Sequence, residues 1–321
     1  MMMVFIENNI VKLKITTALL AVASISACTT GTTAPTLVAG APSTHVPLNY
    51  ETNTSTAAVI SNTAGSTFIV PISGSAPSGP PTLAGSVGTV NHQTGRITLD
   101  DGTYLFIDPD GPTLTGAVAD GAGATGSTLP VTGAGAATYD YVNSYELGYV
   151  VGGQQYYALG YAGIVTGGAD MPDGGSATYT GAGTAIFQTV NLSGINSSTE
   201  TFMDGGDSTV TVDFAAGSAT VNMSDFTNMA DGLGNPYLVG ANPIDQIQGT
   251  GLVVSGAQLS GGAWVTIKNG SPVSLLGASA VATSEGTFFG YDPSISAPDE
   301  IAGLMLITGA TQMGVGVYVA D

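Results

Sequence analysis

Apolar and polar residues alternate along Thr209-Val-Thr-Val-Asp-Phe214, which puts Val210, Val212 and Phe214 on one face of an extended chain. Ala215, Ala216 and Gly217 turn the chain, and Ser218-Ala-Thr-Val-Asn-Met223 alternates again with Ala219, Val221 and Met223 inward. Together they predict a hairpin with one apolar face. Further strands are predicted at 177–186, 249–256, 262–268, 284–290, 300–307 and 312–319. In the last of these Met313, Val315, Val317 and Val319 share a face, with Gly314 and Gly316 opposite. The total is about eight antiparallel strands. Eight strands close into a barrel whose interior is filled by side chains, and closure removes the exposed edges.

Upstream the pattern is patchier. Ser66-Thr-Phe-Ile-Val-Pro-Ile72 predicts an edge strand, because proline cannot donate to a ladder. Arg96–Asp100 and Thr103–Asp108 predict a hairpin about Asp101-Gly102. The Gly-, Ala- and Pro-containing runs at 73–90 and 116–137 read as loops, and 29–46 has the small, polar character of a flexible tether.

Composition agrees with an all-β chain. Charged residues make up only 8% of the sequence and 47 of its 321 residues are glycine, so Ser, Thr and Gly stand where Lys and Glu usually do. Amphipathic helices need those charged helix formers, whereas strands and tight turns do not. The 43% hydrophobic content is enough for a core. Four basic residues face 23 acids, a net charge of −19. Beyond residue 27 only Arg96 and Lys268 are basic, and every acid but Glu7 remains, leaving two positive against 22 negative charges. Such a surface repels phosphates, which excludes nucleic-acid binding as a class. The acidic excess serves solubility, also in salty surroundings, or attracts a basic partner.

Cys28 is the only cysteine. Lys12 and Lys14 precede a short apolar run, Ile15-Thr-Thr-Ala-Leu-Leu-Ala-Val-Ala-Ser24, and Ile25-Ser26-Ala27-Cys28 closes it. This resembles a bacterial lipobox, in which small residues fit the signal peptidase and the cysteine thiol accepts a diacylglyceryl group. The run is too short to span a bilayer and reads as a removed signal. The alternative is an ordinary secretory signal followed by a buried thiol. With no second cysteine to pair, stability must come from sheet and core. The expected organisation is a signal at 1–27, a tether at 28–46, a smaller β-rich domain at 47–140 and a C-terminal eight-stranded antiparallel barrel at 141–321.

Four elements in order carry a resemblance. They are Asp173-Gly-Gly-Ser-Ala-Thr-Tyr-Thr-Gly181, the hairpin Ser208–Val221 with its Val-Asp-Phe and small-residue turn, Glu285-Gly-Thr-Phe-Phe-Gly-Tyr-Asp-Pro293, and Asp299-Glu-Ile-Ala-Gly303. These resemble the "G-x-A-x-Y-x-G", "V-D-F", "G-x-F-[FY]-G-P" and "E-x-x-G" elements of transferrin-binding protein B-like surface lipoproteins. The resemblance covers roughly 141 to 321 and implies a barrel, with 47–140 as a handle-like domain. It implies a lipid-anchored outer-membrane or surface protein that captures a host or environmental ligand, iron- or haem-related in that family. One barrel stands here where transferrin binders have two lobes, and the family's abundant cationic residues are missing. Gly181, Gly286 and Gly290 suit close backbone approach, and Phe214, Phe288 and Phe289 suit core or strand pairing.

Seven of the 13 tyrosines fall between 139 and 161: Tyr139, Tyr141, Tyr145, Tyr149, Tyr156, Tyr157 and Tyr161. They either pair across a hairpin or form an aromatic recognition patch, for which Tyr145, Tyr149 and Tyr157 are the candidate ligand contacts. A tyrosine or histidine is also able to ligate haem iron, but His45 lies in the tether and His92 near a turn. Asp100-Asp101-Gly102 and Asp108-Pro-Asp110-Gly111 fit turn chemistry better than a calcium loop. No Gly-x-Ser-x-Gly elbow, His-Glu-x-x-His or phosphate loop occurs in the sequence. Acid pairs such as Asp204 with Asp207, or Asp299 with Glu300, are able in principle to flank a glycoside, but carboxylates are common in polar turns.

The expected function is that of a non-enzymatic ligand- or solute-binding or uptake accessory, an outer-membrane lipoprotein with no cofactor or metal of its own. A structural or adhesive envelope protein is the alternative. An integral membrane barrel is a third class; against it, the sequence closes on Val319-Ala320-Asp321 and not on an aromatic residue. Thr29 follows Cys28, not the aspartate that resembles an inner-membrane retention signal, so outer-membrane delivery is expected. Cells fed labelled fatty acid should label the wild-type protein and not Cys28→Ser; label in the variant would refute lipidation at Cys28.

Overall fold

The computed structural model describes residues 60–71, 84–91, 96–99, 104–106, 115–117, 128–129, 139–151, 154–191, 194–195, 201–226, 228–231, 244–273, 280–309 and 312–321. The signal, the tether, Cys28, His45, His92 and the turns at 100–102 and 108–111 lie outside the described residues.

Among the described residues nineteen strands follow in chain order. They are β1 (Ile60–Pro71), β2 (Ala84–Asn91), β3 (Arg96–Leu99), β4 (Tyr104–Phe106), β5 (Thr115–Ala117), β6 (Thr128–Leu129), β7 (Val142–Val151), β8 (Gln154–Ile164), β9 (Ser176–Asn191) and β10 (Gly194–Ile195). Then come β11 (Thr201–Asp213), β12 (Ser218–Ser224), β13 (Asn228–Asp231), β14 (Gln246–Ser255), β15 (Gln258–Lys268), β16 (Ser271–Val273), β17 (Val281–Phe289), β18 (Glu300–Thr308) and β19 (Gln312–Ala320). The one helical element described is a 3-10 turn at Gly168–Asp170.

Eight strands close the barrel in the order β9-β19-β18-β17-β15-β14-β12-β11, and β11 returns to pair with β9. Every pairing is antiparallel. All eight expected strands are present. β10, β13 and β16 are short additions to β9, β11 and β15. The remaining strands form a second antiparallel sheet in the order β5-β4-β3-β2-β1-β8-β7-β6.

Three details differ from the sequence reading. First, β7 pairs with β8 and β8 with β1, so 142–164 belongs to the second sheet, and the barrel strands start at Ser176. A boundary at 141 therefore cuts the second sheet and not the linker. The alternating pattern of β7 and β8 does not say which sheet they join; only their partner β1, about a hundred residues upstream, decides it. Second, β1 is a central strand between β2 and β8. Its pairing with β2 stops at Thr67, and Pro71 pairs only with β8, so the proline sits where one side of the strand is already free. Third, β2 lies inside a run read as loop, as do the short β5 and β6 in the next one.

The turns follow local chemistry. The β11–β12 turn carries Gly217 at φ 61, and Asp213 accepts the Ala216 N–H at 2.9 Å. Asn269 (φ 49) and Gly270 (φ 72) join β15 to β16 with the two left-handed residues of a tight hairpin.

The barrel interior is packed on glycine. Four large inward side chains each face a residue without a Cβ directly across the ladder: Trp264 faces Gly249, Tyr318 faces Gly303, Met305 faces Gly316 and Phe187 faces Gly314. A Cβ on Gly249 would stand 2.7 Å from the Trp264 indole, and one on Gly316 would stand 2.8 Å from the Met305 methyl. Trp264 and Tyr318 also meet, their ring centroids 6.5 Å apart. The wall of β11, β12, β14 and β15 buries Val210, Val212, Val221, Met223, Ile247 and Leu252 and turns residues such as Thr211, Thr220 and Thr250 to water. That is the reverse of the lipid-facing pattern of a membrane barrel.

Overpacking one of these pairs should be felt directly. Gly249→Ala should cost about 2 kcal/mol in thermal or urea unfolding followed by circular dichroism. Combined with Trp264→Leu it should cost less than the two single changes together, because the added methyl then enters vacated space.

Candidate functional site

β18 and β19 are buried on both faces over nearly their whole length, because the second sheet lies over their outer side. β1, β7 and β8 are the strands that approach β18 and β19. On the outer face of this wall Leu304, Leu306, Val315, Val317 and Val319 pack with Leu159, Tyr161, Ile164 and Phe68 in one core. Tyr161 meets Phe289 edge-on at 5.8 Å and 77°, a contact worth about 1 kcal/mol beyond area burial.

The backbone stitches this seam at its end. Val165 bridges Phe289, the Thr166 N–H donates to the Phe288 carbonyl at 3.0 Å, and the Gly290 N–H donates to the Ile164 carbonyl at 3.0 Å. The Thr166 hydroxyl donates to the Gly290 carbonyl at 2.7 Å. Gly290 has φ 60, and a Cβ there would run into the Tyr141 ring. The expected close approaches at Gly181, Gly286 and Gly290 are all present, and Phe288 and Phe289 are fully buried.

Glu300 is the central polar group. It opens β18, is 2% exposed, and accepts the backbone N–H groups of Asp140, Tyr141 at 2.9 Å and Val142 at 2.8 Å. These are the residues that lead into β7, so one carboxylate of the barrel fixes the entry of the second sheet. Burial pushes the Glu300 carboxyl up to about 8, against the pull of those three N–H groups, and Asp299 raises it further. Asp299 is itself raised, first by burial and then by Asp292, Asp140 and Asp321. A second seam carboxylate, Glu285 on β17, accepts the Ser66 hydroxyl of β1 and is raised by burial. Sequence reasoning treated Glu300 as a motif letter and half of an acid pair. Its signal was a lone acid heading the apolar run Ile301–Ile307. With both oxygens held by backbone, Glu300 does not present a catalytic carboxylate to a substrate.

The tyrosines divide. Tyr139, Tyr141 and Tyr161 are buried: Tyr139 donates to the Val319 carbonyl at 3.4 Å, and Tyr161 meets Thr287 at 3.5 Å. These three are structural. Burial drives the hydroxyls of Tyr139 and Tyr141 upward, helped by nearby acids. Position 145 pairs with Gly160, 149 with Tyr156 and 157 with Gly148. Among the described residues, no group of three or more His, Cys, Asp or Glu is arranged to hold a metal ion.

Set against solved structures, the chain is similar to a tryptophan-to-alanine mutant of the vaccine antigen transferrin binding protein B from Haemophilus parasuis. The TM-score is 0.50 at 12% identity, over 82% of this chain and 45% of that one. A double mutant of the same antigen gives 0.48 at 14% identity, over 82% and 44%. HpuA from Kingella denitrificans, solved in complex with human haemoglobin, gives 0.33 at 14% identity, over 86% and 90%. The chain spans less than half the length of these two Haemophilus parasuis structures. The sequence matches no family model and no curated protein. At such identity the likeness is one of fold, the fold that the four sequence elements implied.

Glu300→Ala should leave three buried N–H groups without an acceptor and cost about 3 kcal/mol or more in urea unfolding. A loss under about 1 kcal/mol would show that the seam does not depend on this carboxylate.

Proposed function

We propose that this protein is a lipid-anchored outer-membrane lipoprotein, exposed at the cell surface, that binds a protein or haem-related ligand as a non-enzymatic uptake accessory. The observation that carries the reading is the fold likeness to transferrin binding protein B. The lipobox-like segment ending at Cys28 supports the address, and the polar outer wall of β11, β12, β14 and β15 supports a barrel that stands in water and not in lipid. Because Trp264, Tyr318, Met305 and Phe187 fill the interior, the binding surface is an outer one. Tyr145, Tyr149 and Tyr157 on the paired strands β7 and β8 are the candidate contacts, since tyrosine buries area with little rotamer entropy lost.

The full-length Cys28→Ser chain, used as bait in environmental extract, should retain one partner identifiable by mass spectrometry, or a haem absorbance band. Retention of neither favours a structural or adhesive envelope protein. With a partner in hand, replacing Tyr145 and Tyr149 by Ser should weaken capture by about 2 kcal/mol while the melting transition is kept. Loss of folding in the Tyr145/Tyr149 variant would reassign both residues to strand pairing.

A further inference from the structure

The β15–β16 hairpin turns on the one Asn-Gly pair in the sequence. Lys268 and Ser271 face each other across the ladder, so Asn269 and Gly270 alone make the loop. Both sit in the left-handed region, at φ 49 and φ 72, and both are exposed. A Cβ on Gly270 would meet no atom of the described residues within 4 Å. Asp245, just before β14, clamps the turn. Its carboxylate accepts the Asn269 N–H at 2.6 Å and the Lys268 ammonium at 2.9 Å, and its own N–H donates to the Ile267 carbonyl at 2.8 Å. An asparagine amide followed by glycine is a reactive pair, because no side chain hinders attack of the glycine nitrogen on the asparagine Cγ.

We propose that Asn269 is a self-modification site held back by its own turn: in the closed hairpin it does not react, and when the hairpin opens it deamidates, chiefly to a product that cannot rebuild the turn. The reaction consumes water alone. The Gly270 nitrogen gives up its proton and bonds to Asn269 Cγ, closing a five-membered imide. The Cγ–Nδ2 bond breaks, and the amide nitrogen leaves as ammonia with that proton. Water then opens the imide at Cγ to give isoaspartate's isomer, aspartate, or at the backbone carbonyl to give isoaspartate, whose main chain runs through the former side chain. The gate is conformational. Ring closure needs the Gly270 nitrogen on the same side as Asn269 Cβ. In the left-handed region ψ lies at about +30 to +60°, which turns that nitrogen away from Cβ. A two-residue hairpin turn of this hand leaves it no other setting. Isoaspartate adds a methylene to the loop and so spoils its two-residue register. Aspartate re-forms the turn only with a second carboxylate beside Asp245. Since β16 pairs with β15 across this turn, losing the turn releases β16.

The full-length Cys28→Ser chain, held at pH 8.5 folded in buffer and in parallel unfolded in urea, tests the gate. Peptide mapping by mass spectrometry reads the conversion of amide to acid at residue 269, and chromatography separates isoaspartate from aspartate. The unfolded chain should convert Asn269 about tenfold faster than the folded chain, or more, and chiefly to isoaspartate. Asp245→Ala, which removes the clamp at a surface ion pair, should speed the folded-state reaction about threefold and leave the unfolded rate unchanged. If that variant does not fold, Lys268→Ala should speed the folded-state reaction in the same direction. Hydrogen exchange of the isoaspartate fraction should rise over 266–273 and stay unchanged over 209–223. Equal rates in folded and unfolded chain, no conversion at 269 in either, or a folded-state rate untouched by loss of the clamp would overturn the proposal.

Discussion

Two adjacent strands of this barrel, β18 and β19, must be apolar on both faces at once. They line the interior with one set of side chains and carry the second sheet with the other. Glu300-Ile-Ala-Gly-Leu-Met-Leu-Ile307 accordingly has no polar alternation, and every residue in it is buried. Where the second sheet does not reach, β11 and β12 alternate strictly, with Thr and Asn facing water. The same closed ladder thus shows two sequence patterns, and the difference reports what covers each strand.

Interior volume sets the glycine content. A barrel of eight strands leaves room for side chains but little to spare where a ring crosses the interior. Pairing Trp264 with Gly249, Tyr318 with Gly303 and Phe187 with Gly314 lets a ring lie over bare backbone. It also leaves the Tyr318 hydroxyl buried with no hydrogen-bond partner among the described residues. Interior close packing outweighs that unmade bond, which costs about 1–3 kcal/mol.

Electrostatics enters where sheet and barrel meet. With so few cations in the chain, buried acids are held by backbone N–H groups and hydroxyls and not by salt bridges. A carboxylate on three N–H groups is positioned as firmly as in an ion pair, yet it remains sensitive to the acids around it. Asp140, Asp292, Asp299 and Asp321 converge there because chain ends and turns gather at the same end of the barrel, far from each other in sequence.

All eight barrel strands, their antiparallel order and the β11–β12 turn were legible in the sequence, because period-two alternation and Gly217 are local signals. So was the close approach at Gly181, Gly286 and Gly290, through the motif resemblance. Three things were not. The assignment of β7 and β8 to the second sheet depends on β1, a partner that no local pattern names. The apolar face Met313-Val315-Val317-Val319 lies under that sheet, whereas the barrel interior receives Gly314, Gly316 and Tyr318; alternation shows that two faces differ and not which one is inside. Glu300 read as one acid among 23, and its role exists only once residues 140–142 arrive from 158 or more positions away to be bound. Local pattern determines strands because backbone geometry is local; seams are decided by which surfaces meet, and that is a property of the folded chain alone.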